Sequence, residues 1–232
     1  REVDALRQVP GYQLLYPARE MADWDRFLRE LFRRYKGKIK YYELWNEPNS
    51  WPHFAGTAEQ YVELLKTMHQ AMREEDPDAR LVGACGCPGY LEWTKTIVAQ
   101  GAAPYLDIVS LHDYNYSSPI AWARKRLIAQ TGEAVRAVRG EAVPLWNTEF
   151  GFPMPQRESG DPPISRESFI EKFGGETSTV AGVISVWEAR STRWEIQAHL
   201  AALVGGARKN FLHGTGYIGV PSEKGVAFAA LS

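Results

Sequence analysis

Cysteine is nearly missing from this chain: Cys85 and Cys87 are the only two in 232 residues. So small a number excludes a disulfide-stapled scaffold. If one strand runs through both, their Cα atoms stand two strand rises apart, roughly 6.5 Å. That is close to the upper limit for a bridge, so buried structural thiols are expected. No further metal ligand stands beside them in sequence, and neither a metal nor a cofactor is expected. An excess of charge is lacking too. A formal net charge of −1 gives no electrostatic basis for binding nucleic acid or an anionic membrane. The basic cluster from Arg26 to Lys40 alternates with Phe27, Leu28, Leu31, Phe32 and Tyr35 at helical spacing, which describes a solvated helix face. No apolar run is long enough to span a membrane. There is no signal-peptide pattern, but the chain starts at Arg1 and leaves an upstream segment open. Location therefore stays open, with a secreted or periplasmic one favoured, and oligomeric state is open as well. Repeats and low-complexity tracts are absent.

What remains is ordinary globular composition, 44% hydrophobic, enough for one large domain. Aromatic residues make up 12%; such rings serve as sugar-stacking platforms or as core. Periodicity predicts helices over residues 20–36, 57–75, 91–100, 120–138 and 194–204, and a further helix opening at 225–231. Thr57 with Gln60 three residues on is a capping pattern, and Asp76-Pro77-Asp78 ends that helix. Strands are predicted over 40–46, 80–84, 105–112, 143–149 and 209–212. Strands alternating with helices imply a parallel α/β sheet with right-handed crossovers. Residues 153–193, rich in Gly, Pro, Ser and Glu, read as a lid-like insertion over a strand end. Five strands cannot close an eight-stranded barrel. Either the sheet is open and doubly wound, or it is the later part of a barrel whose first three βα units lie outside this chain.

Two glutamates stand at strand ends: Glu47 in Trp45-Asn46-Glu47-Pro48-Asn49, and Glu149 in Trp146-Asn147-Thr148-Glu149-Phe150. Paired carboxylates on strand ends are what glycosidic cleavage requires: one donates a proton while the other attacks or activates water. Alternation puts Ser110, His112 and Tyr114 on one face, and Leu145, Asn147 and Glu149 on one face. Asn46 and Glu47 are adjacent, so both reach a common site only if the strand breaks or bulges there. Glu43 lies deeper and reads as an interior charge paired with a basic residue, which the strands outside this chain could supply. Trp51, Trp187, His53 and His213 stand near strand ends as candidates for sugar contact or packing.

Asn46-Glu47-Pro48, then His112 and Tyr114, then Glu149 resemble clan A of the glycoside hydrolases. The passage from Asp23-Trp24 to Asn49 is most similar to family 39, which contains β-xylosidases, iduronidases and exopolysaccharide glycosidases. The resemblance implies a (β/α)8 TIM barrel, seen here as roughly strands four to eight, with 1–232 forming one N-terminally incomplete catalytic domain. It also implies retaining cleavage of O-glycosidic bonds in an oligo- or polysaccharide, without a cofactor. Glu47 is then the acid/base and Glu149 the nucleophile, with Glu149 expected to raise the Glu47 pKa by repulsion. Asn46 is assigned the sugar 2-hydroxyl, and His112 and Tyr114 the nucleophile or substrate. Trp51 is expected to stack on the leaving group and Trp187 to wall the cleft. In this clan the eighth strand often ends in a Trp, whereas here Phe211-Leu212-His213-Gly214 stands. A catalytically silent carbohydrate-binding barrel and a transglycosylase are the alternatives.

Overall fold

A computed structural model describes residues 15–50, 53–114, 121–150 and 198–212. Trp51, Trp187, His213, the 153–193 insertion and the helix expected at 225–231 lie outside the described residues.

The elements run in strict alternation: α1 (Met21–Tyr35), β1 (Tyr41–Glu43), α2 (Ala58–Glu75), β2 (Arg80–Gly86), α3 (Tyr90–Ala99), β3 (Ile108–His112), α4 (Ala121–Arg139), β4 (Leu145–Phe150) and β5 (Ala207–Leu212). Residues 198–204 are helical before β5. The expected capping pattern opens α2: Gln60 N donates to Thr57 Oγ1 at 3.3 Å, and Thr57 N donates to Gln60 Oε1 at 2.9 Å. Two orphan amides of the first turn are thereby satisfied.

The sheet order is β1-β2-β3-β4-β5, and every pairing is parallel. A doubly wound sheet reverses its order at a switch point, and this one does not. Successive helices also pack on one another, α1 on α2, α2 on α3 and α3 on α4. A sheet wound in one direction beneath one layer of helices is barrel winding, so the open doubly wound alternative falls away.

The two faces of the sheet differ accordingly. Tyr42, Leu44, Leu81, Val109, Leu111 and Leu145 join the main core with Leu28, Phe32, Tyr61, Leu65 and Met72 of the helices. Val82, Ile108 and Trp146 form a separate apolar cluster on the opposite, barrel-interior face. There Tyr41 meets Trp146 edge-on at 4.8 Å, and the Lys209 ammonium lies 4.3 Å from the Trp146 ring centroid. At the N-terminal end of the strands, Arg73 Nη2 binds both Asp107 oxygens at 2.6 and 2.5 Å. Asp107 in turn accepts from Leu81 N at 2.7 Å, tying α2 to β2 and the start of β3. In barrels of this kind that end carries stability, and the C-terminal end carries chemistry.

The C-terminal ends are where regular pairing stops. β1 is shorter than expected and ends at Glu43; Trp45 (φ 66) and Glu47 (φ 47) then enter the left-handed region. β2 runs on to Gly86 with a register shift between Gly83 and Gly86, where Ala84 (φ 83) and Cys85 (φ 45) do the same. Each such residue costs about 1–3 kcal/mol and persists only where its surroundings hold it. Here the freed backbone groups find side-chain partners. Tyr61 OH donates to Leu44 O at 3.3 Å and accepts from Ala84 N at 3.1 Å. Trp93 Nε1 donates to Ala84 O at 3.0 Å. Ser110 Oγ accepts from Cys85 N at 3.1 Å and donates to Gly83 O at 3.0 Å.

Candidate active site

Glu47 leaves the broken end of β1 in a turn closed by Ser50 N donating to Glu47 O at 2.9 Å. Asn49 pins this turn to the end of β2 by pairing both sides of its amide with one backbone unit. Its Oδ1 accepts from Cys87 N at 2.9 Å, and its Nδ2 donates to Cys87 O at 3.3 Å. Trp45 Nε1 reaches across the loop to His53 O at 2.8 Å and packs edge-on against Phe54. The break required to bring Glu47 toward the strand ends is thus present, in the form of positive φ at Trp45 and Glu47. Asn46, between them, is solvent-exposed.

Glu149 reaches the same place by a different route from the one alternation suggests. Leu111 pairs with Asn147 while His112 pairs with Glu149, so β4 carries one extra residue there. This bulge resets the side-chain phase. Asn147 stays buried and accepts from Asp113 N at 3.0 Å, whereas Thr148 bonds Glu43 on the interior face. Glu149 therefore does not share a face with Leu145 and Asn147; it turns inward beside His112.

His112, buried on the last position of β3, lies between the two carboxylates. Its Nδ1 stands 3.0 Å from Glu47 Oε1 and 3.6 Å from Glu149 Oε2. One oxygen of each glutamate and the imidazole nitrogen all fall within 4.8 Å of one another. Tyr114 OH donates to Glu149 Oε1. His53 Nδ1 approaches Glu47 Oε2 at 2.9 Å.

The electrostatics correct one expectation. The Glu47 pKa is lowered, first by the hydrogen bond from His112 and further by the charges of His112 and His53, against desolvation that raises it. A donor aimed at a carboxylate stabilises its charged form, and this outweighs the expected lift from Glu149. Removing the donor takes away the largest lowering cause while desolvation remains, so the proton should be held to higher pH than in the parent protein. The alkaline limb of the kcat/KM–pH profile is expected to move to higher pH in His112→Phe. A limb that stays in place or moves down would refute the link.

Glu43 accepts from Thr148 Oγ1 at 2.8 Å. Lys209, on the same face, lies over Trp146 and Tyr41. Below His112, Cys85 Sγ is 3.3 Å from Nε2. Both cysteines are free. Sequence reasoning missed Asn49, Tyr61 and the approach of Cys85 to His112. The last has no local signal, because the two residues meet only across paired strands.

A parallel sheet wound in one direction, with two carboxylates meeting above its C-terminal edge, describes a (β/α)8-barrel of the clan A glycoside hydrolases. More narrowly, the chain belongs to glycosyl hydrolases family 39, whose sequence model matches residues 13–157. A β-xylosidase from Caldicellulosiruptor saccharolyticus is 26% identical over 196 residues, covering 74% of this chain and 39% of that protein. The fold is similar to that of a glucosidase from Croceicoccus marinus, with TM-score 0.60, 16% identity and coverage of 88% of this chain and 40% of that one. A family 39 β-xylosidase from Caulobacter crescentus gives TM-score 0.57, 15% identity and coverage of 85% and 39%. The chain thus spans about two-fifths of the length of the relatives it matches.

Proposed function

We propose that this protein is a retaining glycoside hydrolase acting by double displacement, with Glu47 as acid/base and Glu149 as nucleophile. The observation that carries the reading is the approach of the two carboxyl groups, an oxygen of each lying within 4.8 Å. Retaining enzymes hold theirs about 5–5.5 Å apart, whereas inverting ones need about 6.5–9.5 Å to seat a water.

In the first step a Glu149 oxygen attacks the anomeric carbon as Glu47 passes its proton to the glycosidic oxygen, and the aglycone leaves as an alcohol. Tyr114, donating to Glu149 Oε1, favours the ionised nucleophile and orients it. Forming the ester removes the Glu149 charge. In the second step Glu47, now a carboxylate, takes a proton from water, whose oxygen attacks the same carbon and releases Glu149. The lowered Glu47 pKa places the first step on the acid side of neutrality. His112, touching both carboxylates, favours the base form of Glu47 that the second step uses.

Residues 1–232 belong in this reading to one catalytic barrel domain, N-terminally incomplete, that acts on a carbohydrate. The β-xylosidase relative makes aryl β-xylosides the first substrates to test. Proton NMR of the first-formed sugar should show β-xylose appearing ahead of the α anomer. Initial release of α-xylose would overturn double displacement.

A further inference from the structure

Beneath the catalytic pair lies a second constellation that double displacement does not use. Glu43, Cys85 and His112 come from three adjacent strands, and one donor atom of each falls within 4.8 Å of the other two. We propose that these three residues form a binding site for a zinc-class divalent cation, with the fourth position left to water.

Carboxylate, thiolate and imidazole together are the donor set of a borderline-soft ion, since hard cations take oxygen alone. Zn–S of about 2.3 Å and Zn–N of about 2.0–2.1 Å at a tetrahedral angle require sulfur and nitrogen to stand roughly 3.5 Å apart. Cys85 Sγ and His112 Nε2 stand 3.3 Å apart. Glu43 closes the set from the edge of an interior recess that it shares with Tyr41, Val82, Trp146, Thr148 and Phe211.

Each donor is also held from behind, as metal ligands are. His112 Nδ1 stands 3.0 Å from Glu47 Oε1, which orients the ring so that Nε2 faces Cys85. Thr148 Oγ1 fixes Glu43 at 2.8 Å. Ser110 Oγ binds Cys85 N at 3.1 Å. The bulge that aims the thiol inward places Ala84 and Cys85 in the left-handed region, which non-glycine residues rarely adopt.

Without a cation Cys85 is a thiol, because burial pushes its pKa well up. Binding therefore exchanges the S–H proton for the metal and releases that proton to solvent.

The test is a Co²⁺ titration of the whole protein, read by absorption without substrate, so that it is independent of the glycosidase reading. A thiolate-to-cobalt charge-transfer band should appear, and Zn²⁺ should abolish it. The band should be absent in Cys85→Ala and kept in Cys87→Ala; should Cys85→Ala fail to fold, Cys85→Ser serves in its place. Thr148→Val should weaken Co²⁺ binding about 10–100-fold, the usual effect of losing the group behind a ligand. A folded wild-type protein with no band, or a band that follows Cys87, overturns the proposal.

Discussion

Glu149→Gln should leave a folded protein whose turnover of aryl β-xylosides is lower by about 10⁴-fold or more, the scale seen when a nucleophile is removed. The substitution is nearly isosteric, and Glu149 sits on a bulge outside the main core, so packing is unaffected. Tyr114 can still donate to the amide oxygen. What is lost is the negative charge that attacks the anomeric carbon, and no nearby group replaces it. Azide supplies the test of role. In Glu149→Gly, a small anion entering the space left by the removed side chain should restore aglycone release and yield a glycosyl azide of inverted configuration, because the attack is then a single displacement. Unassisted turnover within about tenfold of the parent protein would remove Glu149 from the nucleophile role.

Glu47→Gln should separate substrates by their leaving groups. Aglycones that need a proton to depart should lose about 10²–10⁴-fold in kcat/KM, the usual contribution of a positioned general acid. Dinitrophenyl xylosides, which leave unaided, should keep a rapid first step and then stall as the glycosyl-enzyme, since no base is left to activate water. Azide should here give a product of retained configuration, the opposite of the Glu149 result. The two variants thus assign the roles by the stereochemistry of one added anion. An equal loss for good and poor leaving groups would deny Glu47 the acid role.

Much of the frame was legible before any coordinates. The capping box at Thr57, the alternation of elements and the strand-end positions of Glu47 and Glu149 all depend on neighbours within a few residues, which is the range over which periodicity and capping act. Strand boundaries were less legible. β1 was expected to reach Asn46 and stops at Glu43, and β2 was expected to end at Ala84 and continues to Gly86. Both differences arise because Trp45, Glu47, Ala84 and Cys85 take backbone conformations that nothing in their own side chains favours. Tyr61, Trp93 and Ser110 stabilise those conformations from other elements, and no sequence window contains them together.

By itself, the sequence determined the order of strands and helices and placed Glu47 and Glu149, the two residues on which the proposed hydrolysis rests, near the ends of strands. Only the tertiary structure decided that the sheet winds one way, since strand order is a matter of pairing between distant segments. It also decided that the β4 bulge turns Glu149 inward, that His112 lowers the Glu47 pKa, and that Cys85 lies under the same imidazole. The physical reason is common to all of these. Direction of winding, side-chain phase after a bulge and the field at a carboxylate are set by groups brought within a few ångströms across neighbouring strands, and contact of that kind has no trace along the chain.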